Sequence, residues 1–172
     1  LWQPGDSLDI LIVENKSYEN LTHRRAVIFV DKRYFIIVDE AIGSTTGDVD
    51  IHFQMAPGGG SAIFNRENLT VQTGFNQGWN VFVQTQNQPG LKLEEEEGWV
   101  SFRYTEKEPR PAFRYSLKKE SENSNVRFVS LVVPFEKEVP DIQITAIAEK
   151  SGKTEIEVLE NGKRKIIDYK IN

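Results

Sequence analysis

Two short stretches, Ala26–Val30 and Tyr34–Val38, are apolar at successive positions and are joined through Asp31-Lys32-Arg33-Tyr34. Successive side chains of a β-strand point to opposite faces, so a strand with no polar side must be covered on both. The pair therefore reads as a hairpin in the middle of a layered β structure, and the rest of the chain has to supply the layers.

The remainder has a period of two. Trp79, Val81 and Val83 alternate with Asn80 and Gln84, Val100, Phe102 and Tyr104 with Ser101 and Arg103, and Phe113, Tyr115 and Leu117 with Arg114 and Ser116. Ile142, Ile144 and Ala146 do the same against Gln143 and Thr145, as do Ile156 and Val158 against Glu155 and Glu157. Such alternation places one face on a core and the other in water. The pattern predicts strands near residues 8–14, 24–31, 34–40, 48–55, 61–65, 68–73, 79–86, 99–105, 111–118, 125–134, 141–149, 153–159 and 163–170. Pro57-Gly58-Gly59-Gly60, Gln88-Pro89-Gly90, Ser151-Gly152 and Asn161-Gly162 separate them, the last a type I′ hairpin signal. The fold class expected is all-β, a two-layer antiparallel β-sandwich of about a dozen strands with no significant helix, forming a single domain over 1–172. The acidic run Glu94–Glu97 and the polar stretch Lys118–Asn125 read as solvated loops.

Composition narrows the chemistry. With no cysteine among 172 residues, disulfides, zinc ribbons and thiol nucleophiles are excluded. A formal charge of −5 argues against nucleic acid as a partner, and no apolar run approaches the ~20 residues of a helical membrane span, so no membrane partner is expected. Leu1-Trp2-Gln3-Pro4 reads as the middle of a longer chain.

Neither a G-x-S-x-G, nor a P-loop, nor a G-x-G-x-x-G is present, and Gly58-Gly59-Gly60 does not open a helix that could hold an anion. The two histidines, His23 and His52, lack metal-ligand spacing, so no metal site is assigned. The many carboxylates offer no spacing that singles out a catalytic pair, and no catalytic residue is assigned. His52 shares a polar strand face with Asp50 and Gln54, whereas His23 precedes Arg24 and Arg25 at the entrance to the buried hairpin. A histidine there is more often a structural hydrogen bonder than a base. Trp79 is in phase with Val81 and Val83 and reads as core. Trp99 has the parity opposite to Val100, and either opens a strand exposed or packs under the Glu94–Glu97 loop. Trp2, in an entry loop containing Pro4 and Gly5, is the aromatic residue best placed for ligand contact. Lys32, Arg33, Arg24 and Arg25 could form a local basic patch.

The stretch LTHRRAVIFVDKRYFIIVDEAIGSTTGDVDIHFQMAPG resembles the central sheet of the C-terminal domain of heparinase II/III-type polysaccharide lyases. The resemblance continues through LWQPGDSLDILIVENKSYENLTHRR before it, and through EEEEGWVSFRYTEKEPRPAFRYSLKK and FVSLVVPFE after it, so it covers essentially the whole chain. It implies a parent with an N-terminal α/α toroid and a C-terminal β-sandwich that cleaves heparan sulfate or a related uronate-containing glycan by β-elimination. In that family the catalytic Tyr and Asn lie on the toroid. A catalytic His and a metal-site cluster come from a histidine-rich segment upstream of the region matched here, so no cofactor is assigned to this chain. His23 and Arg25 match recurrent positions and, with Trp2, are the substrate-binding candidates. The partners implied are the toroid of the same parent chain and, through the parent, a glycosaminoglycan. The location implied is periplasmic or cell-surface. Taken alone, these residues are expected to be inactive and to act as a scaffold. The alternative is a non-catalytic carbohydrate-binding module, since β-sandwiches host both.

Overall fold

The structure is a computed structural model describing residues 1–171, and every regular element among them is a β-strand. In chain order these are β1 Trp2–Gln3, β2 Leu8–Tyr18, β3 Leu21–Val30, β4 Tyr34–Gly43, β5 Gly47–Gln54, β6 Ile63–Asn65 and β7 Thr70–Gln72. They continue with β8 Asn80–Thr85, β9 Lys92–Arg103, β10 Glu106–Lys119, β11 Val126–Phe135, β12 Ile142–Lys150, β13 Lys153–Glu160 and β14 Lys163–Tyr169. All pairs are antiparallel.

The all-β antiparallel sandwich forms as expected, and its layering is finer than two sheets. A central sheet in the order β1-β2-β3-β4-β11-β8-β7-β6 is flanked by two three-stranded sheets, β5-β10-β9 and β12-β13-β14. One face of the central sheet carries Ala26, Ile28 and Val30 of β3, Ile36 and Val38 of β4 and Leu131 of β11. These pack on Ile144, Ile156, Val158 and Ile167 of the β12–β14 sheet. Residues of the opposite parity, Ala41, Val71, Val83, Val126 and Phe128, pack on Ile51, Leu93, Phe113, Tyr115 and Leu117 of the β5-β10-β9 sheet. The two small sheets thus lie on opposite sides of the large one; the first covers one face of the β3–β4 hairpin, while Val27, Phe29, Phe35 and Ile37 on its other face stay half-buried. Each fully buried Ile or Leu in these cores contributes roughly 1.5–3 kcal/mol.

The second core is also aromatic. Phe53 stacks on Phe113 with ring centroids 5.1 Å apart, and Tyr115 and Phe64 meet Phe113 edge-on. Burial pushes the Tyr115 hydroxyl pKa up, and that hydroxyl donates to the Leu69 carbonyl at 2.8 Å.

Turn chemistry follows the sequence closely. Asn161 and Gly162 both have positive φ (49° and 72°), as do Ser151 and Gly152 (51° and 75°), the type I′ geometry of two-residue hairpins. Asp31 and Lys32 also take positive φ (50° and 56°), and the Arg33 amide closes that turn on the Val30 carbonyl at 2.9 Å.

Several expectations are corrected. Glu94–Glu97 is not a loop but the interior of β9, paired with Pro111–Arg114 of β10, its carboxylates spread along an outer strand. Lys118 and Lys119 belong to β10, so the loop of that region begins only at residue 120. Phe102 and Tyr104 are not core residues: they are 73% and 95% exposed. β5 pairs with β10 only over Ala112–Lys119, so beyond that point β9 and β10 continue as a bare two-stranded ribbon. Ala146 leaves the core because a bulge between Ile144 and Ala146 reverses the parity, and Ile147 packs inward instead. Trp2 lies not in a loop but in β1, a two-residue strand too short to show a period.

A buried ion network ties the central sheet to the β12–β14 sheet. Glu40, beside Val38 on β4, accepts from Arg24 at 2.8 Å and from Arg127 at 2.8 and 3.0 Å, and Arg127 continues to Glu149 at 2.6 Å. Burial pushes the Glu40 carboxyl pKa up, but the hydrogen bonds and charges of Arg24 and Arg127 outweigh that and leave it below its ordinary value. A depressed carboxylate stabilises the fold above its unfolded pKa, and that contribution is lost as pH falls through the folded value. Glu40→Gln therefore costs roughly 3 kcal/mol at pH 7. The difference between variant and parent shrinks as pH drops below about 4.3, as urea denaturation at several pH values will show.

Candidate functional site

Both histidines, and two of the three substrate-binding candidates, border one cleft of about 380 Å³ between the central sheet and β5. Cross-strand register explains the grouping. His23 lies opposite Asn15 and Ala41, Arg25 lies opposite Val13 and Asp39, and both side chains project from the face that carries the second core. Asp39 sits at the centre of the arrangement. Its carboxylate is almost completely buried and engages His23 Nε2 at 2.6 Å, while Arg25 donates through Nε at 2.7 Å and through a terminal nitrogen at 3.0 Å. The bidentate Arg25 contact and the histidine contact together satisfy a charge that could not otherwise stand inside a sheet.

His52 reaches the same cleft from the outer face of β5, where its Nδ1 meets the Glu96 carboxylate of β9 at 2.9 and 3.1 Å. Tyr18 stands at the rim, exposed, and Asp48 and Asp50 line the β5 wall. The cleft thus places His23, Arg25 and His52 against Asp39, Asp48, Asp50 and Glu96. A groove with that balance does not by itself concentrate a polyanion. Nor do the remaining cations form a free basic patch. Arg24 is held by Glu40, Lys32 by Asp9 and Arg33 by Glu160. Among the described residues, no group of three or more His, Asp and Glu side chains could hold a metal ion.

Trp2 does not join the cleft. It pairs with Leu11, and Leu11 with Val27, so it lies on the same face one cross-strand row away from Arg25, at the sheet margin. Trp79 is corrected from core to surface and is 65% exposed. Its parity was sound, because Val81 and Val83 do face the second core, but Trp79 precedes β8 and lies beyond the reach of the β5-β10-β9 sheet. Trp99 lies in the interior of β9 rather than at its start. Its indole N–H donates to Glu97 at 2.7 Å and Lys107 covers the ring at 4.2 Å. The residue that sequence reasoning passed over is Asp39. An acid inside the otherwise apolar Phe35-Ile36-Ile37-Val38-Asp39-Glu40-Ala41 was the available signal, since a buried carboxylate demands partners.

The shared anchor makes a specific energetic prediction. His23→Ala and Arg25→Ala each leave Asp39 one partner, whereas the double variant leaves a buried carboxylate with none. The double variant is therefore destabilised by more than the sum of the single changes, by roughly 1 kcal/mol, in a denaturation cycle. Strict additivity would contradict the arrangement.

Comparison with known proteins supplies the context for this geometry. A family described as "Heparinase II/III-like, C-terminal" matches residues 2–159. A heparin-sulfate lyase of Bacteroides stercoris is 37% identical over 99% of this chain, and one of Pedobacter heparinus is 34% identical over 96%. The crystal structure of heparan sulfate lyase HepC from Pedobacter heparinus superposes with a TM-score of 0.89 at 34% identity, covering 98% of this chain and 27% of that one. The chain spans about a quarter (26%) of the length of these curated relatives.

Proposed function

The chain belongs to the heparinase II/III-like family, in the region of its C-terminal domain, and from that membership we propose that it is part of a polysaccharide lyase cleaving heparan sulfate or a related uronate-containing glycan. The observation that carries this reading is the end-to-end likeness to heparin-sulfate lyases, in sequence and in fold alike. The parent reaction is a β-elimination. A base removes the C5 proton of the uronic acid, the 4-O glycosidic bond breaks, and a donor protonates the departing oxygen, while other groups neutralise the uronate carboxylate.

This chain's own residues support a bracing role rather than proton transfer. His23 and Arg25, its best-placed polar groups, are both committed to Asp39, and their arrangement holds one wall of the cleft at fixed geometry. The proton-transfer groups then come from upstream of Leu1 in the same parent, from the N-terminal toroid that this domain serves as a partner and from the histidine-rich segment of the sandwich. A periplasmic or cell-surface location accords with a polymeric, extracellular substrate.

Ultraviolet absorbance of the unsaturated uronate tests the reading. The parent-length protein produces signal from heparan sulfate, and the 172-residue chain alone produces none. Turnover by the 172 residues alone would overturn the bracing role. A parent inactive on heparan sulfate and on other uronate glycans would overturn the lyase assignment. Measurable affinity of the isolated chain for heparan sulfate without turnover would favour a carbohydrate-binding module instead.

A further inference from the structure

Over β3 and β4 the central sheet is covered on the face that packs on β12–β14 and only in part on the other. Of β1–β4, only Ala41 and the partly buried Leu21 join the core beneath the β5-β10-β9 sheet. The rest of that face forms rows fixed by the register. Trp2, Leu11, Val27 and Ile37 lie across four strands, with Val13, Arg25 and Asp39 on one side and Asp9, Phe29 and Phe35 on the other. Leu11 is 39% exposed and Val13 49%, while Val27, Ile37, Phe29 and Phe35 are half-buried. Phe29 stacks on Phe35 with centroids 4.4 Å apart, and Trp79 borders the groove beside Phe35. With strands about 4.8 Å apart and same-face residues about 6.8 Å apart along each, this is an apolar area of a few hundred Å². A patch of that size is comparable to the largest one a typical soluble monomer exposes, which is often functional.

The backbone shows where the covering element comes from. The Leu1 amino group donates to the Ile12 carbonyl and the Ile12 amide to the Leu1 carbonyl, both at 2.9 Å, so the β1–β2 ladder is still in register at the first residue. β2 then runs on to Tyr18 with no strand outside it. The outward-facing amides on this edge are those of even-numbered residues, as the Ile12 bond shows, and Glu14 is the next in line. A residue preceding Leu1 would lie opposite Val13, and further residues would follow β2 toward the cleft that holds His23 and Asp39. The relatives are about four times as long as this chain, and the family match is to their C-terminal region, so the parent has upstream chain to place there.

We propose that this half-open face is the docking surface for the segment of the parent chain immediately upstream of Leu1, which extends β1 along β2 and then lies across Leu11, Val13, Val27 and Ile37. The inference rests on the chain being part of a longer family member, as proposed above, but not on that member's activity. It also explains why the face is apolar rather than basic. Its nearby cations, Arg25 and Lys32, are already neutralised by Asp39 and Asp9, which suits a protein cover better than a sulfated glycan.

Hydrogen exchange on the parent-length protein and on the 172-residue chain tests it. The Glu14 amide exchanges at least about 100-fold more slowly in the parent, at any protein concentration, because a protected edge amide opens only with its partner strand. Leu11→Asp speeds exchange of the Glu14 amide at least about 10-fold in the parent and less than about 2-fold in the 172-residue chain. Four results would overturn the proposal: equal exchange in both proteins, protection of the isolated chain that grows with its concentration (a second copy), protection that appears only on adding heparan sulfate oligosaccharide, or an equal Leu11→Asp effect in both. Lyase activity of the wild-type parent is measured separately. An active parent with an unprotected Glu14 refutes this inference alone, and an inactive parent with a protected Glu14 refutes only the lyase reading.

Discussion

A β-strand with two apolar faces cannot stand at a surface, and the β3–β4 hairpin imposes that condition on everything around it. Ile28, Val30, Tyr34 and Ile36 are completely buried on one side. On the other side stand Val27, Phe29, Phe35 and Ile37, which are only half-buried. The sequence answers by splitting its second layer in two, with β12–β14 closing one face and β5-β10-β9 closing the distal part of the other. The charged residues inside this arrangement then have no freedom. Asp39 and Glu40 are neighbours on one strand and face opposite layers, and each is bound by two cationic or imidazole partners, Asp39 by His23 and Arg25 and Glu40 by Arg24 and Arg127.

Under the proposed function, this geometry separates two requirements. A cleft wall must hold its shape while a charged polymer passes, and catalytic groups must be free to exchange protons. The Asp39 cluster meets the first requirement through a carboxylate whose hydrogen-bonding capacity is committed. Under the proposed function the second falls to residues outside this chain, which spans about a quarter (26%) of the length of its relatives. The overall negative charge then presents no contradiction, because the attraction of a sulfated polymer is a task for the surface that the polymer crosses.

Most of the architecture was legible as period-two alternation, and the hairpin turns as Gly and Asn placed where positive φ is needed. The departures share a physical cause: alternation reports which side a residue faces, not whether anything lies opposite. Trp79 has the correct parity and still reaches water, while Phe102 and Tyr104 have the parity opposite to the core residue Leu93 and lie on the uncovered β9–β10 ribbon. The bulge before Ala146 changes parity without a glycine or proline to announce it. Glu94–Glu97 hides a strand behind charge, because both faces of an outermost strand can be wet. Of the candidate site, His23 and Arg25 were visible as residues, but their common anchor was not, since pairing across β3 and β4 depends on register that composition does not encode.

The central claim is that this chain forms a rigid wall of a cleft whose reacting groups lie elsewhere in the parent. A structure of the parent-length protein with a bound heparan sulfate oligosaccharide tests it most directly. The account predicts that the C5 carbon and the 4-O oxygen of the bound uronate lie within hydrogen-bonding or proton-transfer reach of side chains upstream of Leu1, with the His23–Asp39–Arg25 cluster intact behind them. A reacting uronate contacted solely by residues of this chain, with His23 released from Asp39, would contradict it.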